Sequence, residues 1–389
     1  MTRTLVSIQR ILNLQPIEGA DRIETATILG WKCVVPKGDF RIGDLVVYYE
    51  IDSFLPIRQE YEFLRQSSYR KFEDGREGFR IRTRKFKKQI AQGLVLRTNQ
   101  VGGLLDGLQL EEGLDVTTLL GVMKYEPPMP SCLRGKALGT FPSFIPKTDE
   151  TRVQLLQQVL DRHIGMPCYI TEKIDGTSAT YFLKDDHFGL CSRNLEVDPN
   201  DRTYFCRKCQ WKENAAFLKC PRCAGTEIGE TETAYIMIAR ELQIEARLRA
   251  FHDRTGIELA LQGEIYGVGI GGNNLLVPNG YRFALFQIFD IKQCRYLDYI
   301  EFVALAKELG LEIVPVITDT FELLSSIDEL VRLATGKSVI TSSRWREGIV
   351  IRPLVETLDL GMSMSGGIST SSRLTFKVVN PEYLLVSDS

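Results

Sequence analysis

Apolar and polar residues alternate, or apolar residues run together, over Leu5–Leu14, Ala26–Pro36, Leu45–Ile51 and Gly93–Arg97. Pro36-Lys37-Gly38-Asp39 and Gly43-Asp44 interrupt them with turn-forming residues. Short strands at this spacing predict a small β-barrel over residues 1–125. Regular patterning stops between Lys124 and Gly139, where Pro127, Pro128, Pro130 and Gly135 fall, so 126–139 reads as a linker to a second domain, 140–389. There the periods mix. Asp149–His163 and Glu230–Arg254 read as helices, the latter with Ile236, Ile238, Leu242, Ile244 and Leu248 near one side. Cys168-Tyr169-Ile170 and Ala179-Thr180-Tyr181-Phe182 read as two strands joined in a hairpin by an Asp175-Gly176 turn. Ile257–Leu261, Phe283–Ile291 and Ile349–Ile351 are apolar runs suited to buried strands.

Composition narrows the class without naming a chemistry. At 389 residues, 44% hydrophobic and 25% charged, the chain matches an ordinary globular protein of two or three domains. The first residues, MTRTLVSIQRIL, are too short and too charged for a secretory signal. No apolar run is long enough to span a membrane, so a reducing cytoplasmic setting is expected. A net charge of −2 gives no global field for a polyanion, and any such footprint must be local.

Two local footprints stand out. FRIRTRKFKK, residues 79–88, carries Arg80, Arg82, Arg84, Lys85, Lys87 and Lys88 with Phe79 and Phe86 interleaved. On a strand, Arg80, Arg82 and Arg84 would share one face and suit a nucleic-acid backbone, the rival being an edge strand that uses charge against aggregation. Cys206-x-x-Cys209 and Cys220-x-x-Cys223 have the spacing of a four-cysteine zinc site, which would supply the folding energy of an insertion at 203–226 too short for a core. Two disulfides are the weaker alternative, since the other five cysteines are scattered. The lobe also bears Arg207, Lys208, Lys212, Lys219, Arg222 and Trp211. His163, His187 and His252 are isolated and read as structural.

The densest chemistry is Lys173-x-Asp175-Gly176-Thr177-Ser178. A lysine amine becomes nucleophilic only where its surroundings favour the neutral form. Downstream come Ser192-Arg193-Asn194, Gln262-Gly263-Glu264-Ile265-Tyr266-Gly267, Phe283–Ile291, Arg346-Glu347-Gly348-Ile349-Val350-Ile351 and Phe376-Lys377-Val378-Val379. In this order the segments resemble motifs I, Ia, III, IIIa, IV and V of the lysine nucleotidyltransferases, the superfamily of ATP-dependent DNA ligases, RNA ligases and mRNA-capping enzymes. The order of domains, barrel first, resembles the Deinococcus-type ATP-dependent RNA ligases, as does FPSFIPKTDETRVQ at 141–154 leading into the catalytic part. Only twelve residues follow Lys377, too few for the C-terminal OB domain of DNA ligases and capping enzymes.

The resemblance implies an α+β protein: an N-terminal OB-like barrel, then a nucleotidyltransferase domain of antiparallel sheets flanked by helices. It implies ATP, Mg²⁺ or Mn²⁺, and RNA or an RNA-containing duplex as substrate. Lys173 would form a lysyl-AMP, pass the AMP to a 5′-phosphate, and allow a 3′-hydroxyl to seal the break. Glu172, Arg193 and Glu264 would bind the nucleotide, with Phe289 stacking on the base and Phe286 as the alternative, since residues of odd separation face opposite ways on a strand. Glu347 would contact the divalent metal and Lys377 the α-phosphate. The second lysine that many relatives carry in motif V is Val379 here, and Arg344, Arg346 or Arg373 would have to replace its charge. A GTP-using capping enzyme and an inactive RNA-binding module are the competing readings, and the sequence is silent on oligomeric state.

Overall fold

The computed structural model describes residues 4–72, 74–87, 89–126, 131–213, 216–364 and 372–387. The N-terminal part is the expected barrel, built on a sheet of β1 (Val6–Pro16), β2 (Ile23–Ile28), β3 (Trp31–Pro36), β4 (Leu45–Tyr49) and β5 (Leu94–Arg97) in the order β5-β4-β1-β2-β3. β1 is long enough to serve two partners. Val6–Arg10 pair with β4, and Ile11–Pro16 pair with β2 after an irregularity between Ile11 and Asn13 that bends the strand. The sheet curls until the Gln92 N–H, just before β5, donates to the Lys32 carbonyl at 2.8 Å across the open side. Alternation along β1 and β4 fills two clusters, one around Val6, Ile8, Val47 and Phe79, the other around Ile11, Trp31, Val46 and Tyr48.

The run read as Ala26–Pro36 is a hairpin, β2 and β3, turned at Leu29-Gly30. That turn abuts the second domain. Gly30 N–H donates to the Gln154 carbonyl at 2.9 Å, and a β-carbon on Gly30 would lie 2.7 Å from Ile327 and 2.8 Å from the Gln154 backbone, so only glycine fits the approach. Asp52 adds a polar tie: it accepts from Arg80 of the barrel at 3.0 Å and from Arg152 of the second domain at 3.3 Å.

Two sheets face each other in the second domain. The first holds β7 (Thr177–Lys184), β8 (His187–Cys191), β9 (Leu259–Gly267) and β10 (Tyr281–Asp290) in the order β8-β7-β9-β10, after β6 (Pro167–Lys173) has left for the other sheet. Short strands at its edges extend the first sheet to seven. The second sheet sets β6 between β11 (Val316–Glu322) and β12 (Gly348–Pro353), with β13 (Phe376–Val379) beyond β12 and Thr151–Arg152 at the far edge. All pairs are antiparallel except the last, so the α+β architecture stands.

Three local expectations change. The segment around Lys173 is a crossover between sheets, not a hairpin: Lys173 lies beside Gly348 in one sheet and Thr177 beside Ile265 in the other. Gly176 permits it, because a β-carbon there would meet the Ile265 carbonyl at 2.3 Å. Glu230–Arg254 begins as a strand, Ile228–Thr231, and then forms α1 (Ala234–Glu241) and α2 (Ile244–Thr255), broken at Gln243 with φ 51°. The left-handed residue turns the chain so that Ile236 and Ile238 of α1 and Leu248 and Phe251 of α2 bury on one core against β7 and β9. Asp149–His163 is helical only from Gln157 to Arg162, because Thr151–Arg152 add to the β13 edge and Val153 and Leu156 anchor a 3-10 turn in the second core. Residues flanking the linker also pair: Met123–Lys124 with Ser53–Phe54, and Ala137–Thr140 with Leu195–Val197, while Pro127–Pro130 lie outside the described residues.

Candidate active site

A cleft opens between the two sheets where β6 crosses to β7. Lys173, the last residue of β6, reaches into it, and both carboxylate oxygens of Glu347 lie 2.7 Å from its Nζ. Sheet register produces the contact: Glu347 immediately precedes Gly348, the cross-strand partner of Lys173. Burial opposes a charge on Lys173, yet Glu347, then Glu264 and Asp175, outweigh it and hold the amine above the ordinary lysine value. Lys173 is therefore a paired ammonium.

The same register aligns its neighbours. Thr171 on β6 faces Val350 on β12, which faces Lys377 on β13, and all three line the cleft. Glu264, on β9, and Phe286, on β10, approach from the opposite sheet. Burial pushes the Glu264 carboxyl up to about 8, with Lys173 pulling it down and Glu347 pushing it further up. Arg193 also lines the cleft and pairs with Asp149 at 3.2 Å. Glu172 borders it from β6; one carboxylate oxygen accepts the Val339 N–H at 2.6 Å, and the other, Oε1, is buried with no hydrogen-bond partner. Asp175, in the crossover, accepts from Tyr383 Oη at 2.6 Å and from Asn274 Nδ2 at 2.5 Å. Tyr383 belongs to α3 (Pro381–Ser387).

A family model for an OB-fold domain matches residues 5–98, and one for RNA ligase matches residues 166–379. The chain belongs to the RNA ligase family. Among solved structures, the Naegleria gruberi RNA ligase with ATP and Mn, in one mutant, is 32% identical over all of both chains with a TM-score of 0.79. The same enzyme with PPi is 32% identical over 99% of each chain, and another mutant with AMP and Mn likewise, both with a TM-score of 0.78. None of the curated proteins matches the chain by sequence.

The ligase departs from the sequence reading at several side chains. Phe289 does not reach the cleft: it packs with Phe182, Cys191, Ala260 and Tyr296 farther along the same face of its sheet, and Phe286 lines the cleft instead. A bulge decides this: Gln262 pairs with Gln287 and Gly263 with Leu285, so Phe286 is an extra residue on β10 and shares a face with Phe289 despite their odd separation. The candidate replacements for the second motif V lysine are elsewhere too. Arg373 is buried against Glu356 at 2.5 Å and stacks on Tyr296 at 3.5 Å. Arg346 donates to the Leu333 and Ala334 carbonyls that end a helix, at 2.6 and 2.9 Å, and Arg344 does not line the cleft. The cations that do line it beyond Lys173, Arg193 and Lys377 are Lys147 and Arg352. Arg352 pairs with Glu150 at 2.9 Å and Lys147 donates to Asn194 at 2.9 Å. FPSFIPKTDE, which supplies Phe141, Lys147, Asp149 and Glu150, is thus a wall of the cleft and not only an approach to the domain.

The basic run of the barrel is also divided. β-structure ends at Arg80 and resumes at Arg84 in a separate hairpin, so Arg80, Arg82 and Arg84 form no single stripe. Arg80 is held by Asp52 and lies over Tyr125 at 4.2 Å, and Arg84 donates to the Ser67 carbonyl. Lys85 and Lys87 are exposed, Lys85 lying 3.5 Å from Glu382, and Lys88 lies outside the described residues. In the insertion the ligand sulfurs of Cys206, Cys209, Cys220 and Cys223 all lie within 4.8 Å of one another. All nine cysteines are free thiols, and the 3.5 Å separations Cys206–Cys223 and Cys209–Cys220 are far beyond a disulfide bond. Among the described residues no helix is long and apolar enough to cross a membrane.

Proposed function

We propose that this ligase uses ATP to seal 3′-hydroxyl, 5′-phosphate breaks in RNA, chiefly nicks in RNA-containing duplexes, through a lysyl-AMP at Lys173. The observation that carries the reading is the Lys173–Glu347 contact at the floor of a cleft with cations on one sheet and an aromatic ring on the other. The solved Naegleria ligase with ATP, AMP and Mn supports the same nucleotide here.

The first step needs Lys173 as a free amine. Glu347, already in contact, is positioned to take its proton. The amine then attacks the α-phosphate and pyrophosphate leaves. Lys377, two register steps away, would face the phosphoryl oxygens as charge builds on them. The base would lie on Phe286, with the buried Oε1 of Glu172 as acceptor for an amino group, and Glu264 and Arg193 would hold the ribose and phosphates. Glu347, Glu264 and Asp175 place three carboxylates near Lys173, and Glu347 would offer Mg²⁺ or Mn²⁺ a hard oxygen beside those of the triphosphate. Such an ion supplies positive charge that favours the neutral amine and neutralises the triphosphate. In later steps the same residues would support transfer of AMP to a 5′-phosphate and attack by the 3′-hydroxyl. Four sulfurs at these separations fit a tetrahedral Zn²⁺, whose bonds of about 2.3 Å set sulfurs about 3.8 Å apart. Within the basic run 79–88, Lys85 and Lys87 are the described cations left exposed for a strand to meet.

The test is incubation with α-labelled ATP and Mg²⁺ beside a Lys173→Ala variant. Label on the denatured wild type and none on the variant is expected, and a wild type that stays unlabelled overturns the lysyl-AMP reading. GTP in parallel separates this activity from capping chemistry.

A further inference from the structure

We propose that the four-cysteine lobe, residues 203–226, is an RNA clamp that holds the phosphate backbone flanking the break. The proposal rests on the ligase reading above, from which it takes the substrate, and adds a second place on the enzyme where that substrate is gripped.

The first observation is charge without counter-charge. Arg207, Lys208, Lys212, Lys219 and Arg222 are all exposed, against a single carboxylate, Glu213. Among the described residues none of the five forms a salt bridge, and for Arg207 and Arg222 this departs from most exposed arginines elsewhere, as Arg65, Arg76, Arg162, Arg254 and Arg295 show. A solvated face built only for solubility would mix signs and pair them. Five like charges on a lobe of this size repel one another, and the arrangement is relieved by a polyanion. Arginine and lysine at the tips of short loops, with Trp211 exposed beside them, are the side chains that contact phosphates and stack on bases.

The second observation is where the lobe is rooted. Its two ends are drawn together by Arg202 and Glu232, 2.8 Å apart, and Glu232 also takes Arg240 at 2.6 Å. One residue later Thr233 caps α1, accepting the Ile236 N–H. The second residue of α1, Tyr235, hydrogen-bonds through its hydroxyl to Thr177 at 3.1 Å, four residues from the nucleophile. The lobe is therefore rooted at the edge of the first sheet, and it begins ten residues after Arg193, which lines the cleft. The four cysteines make it stiff: the chain reverses at Cys206–Gln210 and again at Cys220–Ala224, through Gln210 N–H to Cys206 and Ala224 N–H to Cys220. With metal bound, the cations are held on a rigid frame, so their ordering cost on meeting RNA is small.

The experiment uses the full chain loaded with zinc. Lys208, Lys212, Lys219 and Arg222 are changed together to Glu, and in a second variant to Gln. Three quantities are read: zinc per chain, label from α-labelled ATP on the denatured protein, and Kd for a nicked RNA duplex across a salt series. Zinc and self-labelling are expected to stay at wild-type levels in both variants. RNA affinity is expected to fall roughly tenfold or more in the Glu variant, and the salt slope of log K to shrink by about 0.9 for each phosphate that the Gln variant no longer neutralises. Unchanged affinity and slope in chains that still hold zinc overturn the clamp, as does a lobe that binds protein while RNA affinity is untouched. Failure of the underlying reading looks different: the wild type itself would take no label.

Discussion

The two sheets that wall the cleft contribute different things. The second sheet, through β6, β12 and β13, carries Lys173, Glu347 and Lys377 in neighbouring register positions, where hydrogen bonding between strands holds them. The first, through β9 and β10, carries Glu264 and Phe286 and faces the others across open space. Groups that share a sheet keep their mutual geometry whatever the cleft does. Groups on opposite sheets meet a nucleotide at a separation that depends on how the sheets sit. The arrangement predicts that the second sheet governs the rate of chemistry and the first governs nucleotide capture.

Lys377→Ala tests the first half most severely. Self-adenylylation should slow by about 10²–10³ with little change in the ATP concentration for half-maximal rate. A large rise in KM with an intact kcat would place Lys377 among the binding groups and break the comparison. A matched pair on β10 follows. Phe286→Ala should raise the KM for ATP about tenfold at unchanged melting temperature, through loss of stacking worth about 1.4 kcal/mol. Phe289→Ala should destabilise by about 3–5 kcal/mol in denaturant titrations and leave KM alone in whatever folds. Reversal of those two outcomes would restore Phe289 as the base platform.

Val379→Lys sharpens the division. Val379 lies opposite Gly348, which lies opposite Lys173, so a lysine there would sit two residues from Lys377 in the row of Lys173. A second cation disfavours the ammonium of Lys173, and the alkaline-rising limb of adenylylation should move down by roughly one pH unit. An unmoved limb would show that position 379 points away from the amine. Glu264 tests the first sheet through stability instead of rate. Its folded carboxyl is held at about 8 against an ordinary 4.5, so its contribution to stability is full below 4.5 and is lost as pH rises through 8. Glu264→Gln should melt progressively higher than wild type from pH 5 to 8, with the gap level above that. A gap that narrows with pH would contradict the raised value.

Much of this site was legible in the chain because its residues lie in short contiguous motifs. Lys173, Glu264, Glu347 and Lys377 lie in the motifs that carry the family resemblance and come near one another in the structure, and the cysteine pairs stand out by spacing alone. What escaped was set by contacts remote in sequence. The choice between Phe286 and Phe289 needed to know where β10 bulges and which end of its face is filled by Phe182 and Tyr296. The strands flanking Lys173 look like a hairpin until Gly348 and Ile265, far apart in the chain, claim one each. Arg373, Arg346 and Arg80 were counted as available charge, yet Glu356, two helix carbonyls and Asp52 hold them. Arg352 and Lys147 lay in segments whose sequence gives no sign that they border a cleft.

The short helix α3 ties these parts mechanically. Leu384 packs into the barrel core beside Trp31 and Tyr48, Glu382 meets Lys85 of the barrel, and Tyr383 between them holds Asp175. Consecutive residues thus grip two bodies at once. The barrel cannot swing away from the catalytic domain without drawing Leu384 from its seat or parting Tyr383 from Asp175, two residues from Lys173. A strand that tugs on the barrel therefore pulls on the same linkage that sets the electrostatics of Lys173.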